Sequence, residues 1–133
     1  MSINLTEQDR HTMRVAAYGA VTLLSAAGAA GGSPHRIATR GSIALGSATG
    51  LVGHVLATPA KHRELNGRSV AEIADRVLPA LSATSALLRA QAPAEAGNFR
   101  AAVVTAMEAA THDGRPGPAV ADMMRKITAA IDA

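Results

Sequence analysis

The sequence contains no cysteine and no tryptophan, and only one tyrosine, Tyr18, and one phenylalanine, Phe99. Without cysteine there is no disulfide, no thiolate metal ligand and no cysteine nucleophile. Charge is sparse as well: Asp, Glu, Lys and Arg make up 17% of the residues, against about 25% in an average soluble chain. Combined with 48% hydrophobic residues, this excludes a chain held open by self-repulsion and lacking the means to form a core. The length, 133 residues, fits one domain able to bury about two-thirds of its unfolded surface.

In place of rings the chain carries Ala, Val, Leu, Ile and Met. Ala dominates, and Ala is the best intrinsic helix former. No segment sustains the apolar–polar alternation of a strand. The expectation is therefore an all-α fold, with residues 1–133 as a single helical domain, a bundle of about five helices.

Local punctuation marks those helices. Thr6-Glu7-Gln8-Asp9 sets a capping hydroxyl ahead of acidic first-turn residues, so the first helix should run from Thr6 to about Ala27. Ser33-Pro34 opens a second, which should end near Thr58-Pro59, because the residue before proline disfavours the helical region. Ser69-Val70-Ala71-Glu72 is a capping box for a third. Pro79 lies too deep in that helix to be a start signal and implies a kink. Pro93 and Pro118 open the fourth and fifth.

The first two helices differ from the others. Residues 15–34 carry no charge, and residues 41–60 carry none beyond a titratable His54. Helices that are apolar or small all round call for burial on every side. A central small-residue hairpin is expected, and with it a symmetric homodimer built on residues 15–58. Both runs are long enough to span a bilayer. Their Ala, Gly, Ser and Thr content, and basic residues at both ends, argue against insertion. A signal peptide could be drawn around residues 15–24, but Glu7 and Asp9 spoil its basic start. A cytoplasmic location is expected.

Three constellations could carry chemistry. The glycines at 31 and 32 lead into Ser33, His35, Arg36 and Arg40, where a helix N-terminus and basic side chains could hold a small anion. Tyr18 and His54 could share a polar core or pocket, and in an enzyme His54, His35 or Tyr18 would be the acid–base group. No HExxH or ExxH spacing occurs, so neither a metal nor any other cofactor is expected. Glu72 and Asp75 share a helix face and are expected to be solvated. Met107, Met123 and Met124 lie on core-facing stripes, as gap fillers or as the lining of a soft apolar pocket.

The third constellation is the 69–89 segment. Ser69 to Val77 is similar to the first helix of bacterial helix-turn-helix regulators, and Leu81-Ser82-Ala83-Thr84-Ser85 loosely resembles their recognition helix. That resemblance implies a DNA-associated protein. The turn glycine of the motif is replaced by Leu78-Pro79, and the reading face would offer Ala83 and Ala86, which make no bidentate base contact. A formal net charge of +3, with arginines scattered along the chain, gives no basic stripe. The leading expectation is a non-enzymatic α-helical interaction or scaffold protein, with a DNA-associated protein and a small histidine-dependent enzyme as alternatives.

Overall fold

Helix starts are local chemical events, and several are visible as such. The structure, a computed structural model, describes residues 4–29, 34–67, 69–112 and 116–133. Helix α1 spans Glu7–Ala27. The Thr6 hydroxyl accepts from the Asp9 N–H at 3.0 Å, and the Asp9 carboxylate accepts from the Thr6 N–H at 3.0 Å. Two donors that the helix itself cannot satisfy are thus paired, a cap of about 1 kcal/mol. At α5, Val70–Gln91, the Ser69 hydroxyl accepts from the Glu72 N–H at 3.1 Å. Helices α6, Pro93–Ala110, and α7, Pro118–Asp132, each begin on proline, whose missing N–H costs nothing in a first turn.

Between α1 and α5 the chain departs from expectation. The second helix is broken into α2, Pro34–Gly46, and α3, Gly50–Leu56, and a short α4, His62–Leu65, follows. Seven helices, not five, make up the described residues, and none of those residues forms a strand. The break has a backbone cause. Gly50 has φ of 71°, in the left-handed region that ends a right-handed helix. The same corner folds back so tightly that a Cβ on Gly53 would overlap the Ala48 carbonyl. Pro79, by contrast, does not end α5, which runs on through it with the proline exposed.

Helix α1 is the axis of the molecule and touches each of the other six helices. Every residue from 15 to 21 is buried, which is nearly two turns and therefore burial on all sides. Leu23 and Leu24 extend the core, and α5, α6 and α7 add Val77, Leu81, Leu88, Phe99, Val103 and Ile127 to it. Each such large side chain contributes about 1.5–3 kcal/mol on burial.

Helix α2 corrects the expectation of a hairpin buried on both arms. Only Gly41 and Leu45 are buried along it, and Ile43 is 65% exposed. Small residues carry little apolar area, so leaving them in water costs little and nothing forces the helix inward. Close packing is still present, on one side. A Cβ on Gly41 would lie 2.7 Å from Val21 Cγ1, and one on Gly28 would lie 2.7 Å from Ile37 Cδ1. Glycine is what lets α1 and α2 approach this closely.

Candidate functional site

At the start of α2 the structure describes His35, Arg36 and Arg40, while Ser33 lies outside the described residues. His35 and Arg36 are exposed and Arg40 is half-buried one turn along. The end of α1 is fastened to this helix start by the Ser25 hydroxyl, which donates to the Pro34 carbonyl at 2.7 Å. An anion at this helix start would meet two solvated side chains.

Tyr18 and His54 do not form one polar pocket. The Tyr18 hydroxyl is buried and donates to the Leu56 carbonyl at 2.6 Å. Burial pushes its phenol above the ordinary value of 10.0, which makes it a poorer proton donor at neutral pH. His54 is exposed, on the side of α3 away from the core. The reason is register: Val52, Val55 and Leu56 take the inward positions of this short helix, and His54 falls outside that arc.

Tyr18 belongs instead to a set of side chains that strap the 55–66 segment to the bundle. Arg14 donates from Nε to the Val55 carbonyl at 3.1 Å. From α5, Arg76 donates to the carbonyls of Glu64 and Asn66 at 2.8 and 3.0 Å. His11 Nδ1 lies 2.8 Å from the Glu64 carboxylate. These groups hold backbone in place, and their polar atoms are occupied in doing so.

The 69–89 segment lies on one unbroken helix, α5. The two helices and intervening turn of a DNA-reading motif are not formed there. Thr84 and Ser85 face the core, 2% and 3% exposed, and their hydroxyls have no hydrogen-bond partner. Glu72 and Asp75 are both exposed, and no metal-holding group of three His, Asp or Glu side chains occurs among the described residues. Among those residues, too, no helix is long and apolar enough to cross a membrane.

Two features escape sequence reasoning. At the α2–α3 corner the Glu95 carboxylate, from the first turn of α6, accepts from the N–H groups of Leu51 and Val52 at 2.9 and 3.3 Å. It caps α3 across 44 positions of sequence, where Thr49, the residue in the cap position, makes no side-chain bond of its own. Asn98 Nδ2 secures the same corner by donating to the Thr49 carbonyl at 2.8 Å. An acidic residue in a first turn reads from sequence as a partner for its own helix dipole, so the long-range role leaves no separate signal.

The second is a groove between α6 and α7, of about 530 Å³. These two helices are joined directly, yet each packs mainly on other helices, α6 on α2 and α5, and α7 on α5 and α1. They meet each other sparingly, and the seam stays open. Val104, Met107 and Met124 line its apolar part. One end is closed by Arg100 and Asp132, paired through two hydrogen bonds of 2.9 and 3.2 Å. This pairing holds the Asp132 carboxyl below the ordinary carboxylate value. The methionines were the available sequence signal, since a flexible side chain suits an irregular or incompletely filled space.

No family model, curated protein or solved structure matches this chain.

Proposed function

We propose that this chain acts as a non-enzymatic helical interaction protein that pairs with a second copy of itself through the outer face of α2. The observation that carries this reading is the position of Ile43. It is the only exposed large hydrophobic residue among those described, and it stands on a face of small, uncharged residues. Thr39, Gly46, Ser47 and Gly50 follow it along the same exposed side at helical spacing. Gly46 has nothing among the described residues within 4 Å of where a Cβ would stand. The face therefore bears a knob at 43 and an open space at 46.

A knob and a hollow on one face are self-complementary under a two-fold axis, which is what a symmetric dimer requires. With two α2 helices antiparallel, each Ile43 enters the space over the other's Gly46. Such pairing also brings the arginine-bearing start of one α2 beside the C-terminal end of the other. The last turn of α2 has no basic residue of its own to complement its dipole. The contact narrows the 15–58 region to its outer half, since α1 is consumed within the monomer.

Sedimentation equilibrium tests the proposal. The wild-type chain is expected to be dimeric at micromolar concentration, and Ile43→Asp to be monomeric with unchanged helix content. A wild-type monomer throughout that range, or a dimer indifferent to Ile43→Asp, overturns it.

A further inference from the structure

We propose that the groove between α6 and α7 is a docking site for a basic amphipathic helix of a partner protein. This surface is separate from the α2 face, and the two proposals stand independently. From Arg100 to Glu108 the α6 wall runs about 12 Å, at about 1.5 Å per residue. That length admits a helix placing apolar side chains at i, i+4 and i+7, which span a similar distance. Val104, Met107 and Met124 meet those side chains, and flexible thioethers adapt to their shape.

A helix fits this groove better than an extended peptide does. Both walls are helices whose backbone groups are already paired, so they offer no edge to a strand. An extended peptide lying over methionines would bury unpaired N–H and C=O groups, whereas a helix satisfies its own.

The charge pattern gives the sign of the partner. Arg100 is neutralised by Asp132, and Arg125, on the α7 side, by Asp122 at 3.4 Å. Glu108, exposed on the α6 side, has no ion pair among the described residues. The lining thus holds one uncompensated charge, and it is negative. A lysine or arginine on the polar flank of the docked helix would complement it.

The test uses the full chain and a fluorescein-labelled amphipathic helix of Leu, Ala and Lys, with leucines at i, i+4 and i+7. A twin carries Glu for Lys. Fluorescence anisotropy is expected to show saturable binding of the lysine peptide, tighter than that of its twin by about tenfold, or about 1.4 kcal/mol. Glu108→Lys should reverse the preference, and Met124→Glu should weaken both peptides. The absence of saturable binding, a preference unmoved by Glu108→Lys, or full affinity in a folded Met124→Glu chain overturns the proposal. Should Met124→Glu fail to fold, the reversal at exposed Glu108 still decides it. Binding measured in Ile43→Asp separates this site from the α2 face, because the groove is intact there.

Discussion

Gly41 lies against Val21 with no room for a methyl group between them: a Cβ on Gly41 would stand 2.7 and 2.8 Å from the two Val21 methyls. Two helices meet here at a distance set by one missing carbon. Val21 is itself buried within α1, so it has nowhere to retreat. A clash with a flexible side-chain tip relaxes cheaply, but this one is with a branched side chain held by the core.

Gly41→Ala is therefore expected to destabilise the fold. Overpacking costs about 1–3 kcal/mol, partly offset by the gain of up to about 1 kcal/mol from replacing glycine within a helix. Gly97→Ala is the control. It sits inside α6 with nothing within 4 Å of the added carbon, so only the helix gain remains. Urea denaturation midpoints should move in opposite directions for the two variants.

Tyr18→Phe removes the donor to the Leu56 carbonyl, and the loss should be about 1–2 kcal/mol by denaturation at neutral pH. The alkaline limb carries a second signature. Burial raises the folded-state value above 10.0, so the unfolded chain releases the phenol proton first. The associated stability is fully present below that ordinary value and is lost as pH rises through the raised one. Tyr18→Phe should flatten this part of the stability–pH curve.

Glu95→Ala should loosen α3 more than any other helix. Leu51 and Val52 would lose their acceptor, and hydrogen bonds to charged groups contribute about 1.5–3 kcal/mol. Hydrogen exchange at those two amides is the direct readout, with faster exchange expected there than in α7. Glu95→Gln keeps an acceptor oxygen and should fall between wild type and Ala.

Thr84→Val is expected to stabilise the protein. The Thr84 hydroxyl is buried without a partner, and valine replaces it at nearly the same shape. Relief of an unsatisfied polar group is worth about 1 kcal/mol or more, visible as a higher thermal midpoint in calorimetry. An unchanged or lowered midpoint would show that the hydroxyl is in fact satisfied.

Much of the architecture was legible because its causes are local. The Thr6 and Ser69 caps, and the prolines at 93 and 118, each announce a helix within a few residues of chain. The burial of α1 was legible too, from a long stretch without charge. The break at Gly50 was not. Gly46, Gly50 and Gly53 read equally as close-packing positions or as a hinge, and only the left-handed φ at Gly50 decides between them. Helix α2 was overestimated as core because a residue such as Ser42 or Ala44 tolerates burial without demanding it. The groove was the least legible, since it depends on which neighbours α6 and α7 choose, not on either sequence stretch alone.

The position of α1 has a consequence for biosynthesis. The helix around which all the others assemble is the one that leaves the ribosome first, and its partners α5 to α7 are synthesised last. Throughout translation its apolar surface has no native cover, and the nascent chain depends on transient shielding by the ribosome surface or a chaperone. Folding is then a late, cooperative event, not a progressive one, and truncations from the C-terminus should yield aggregation-prone chains in place of smaller stable bundles.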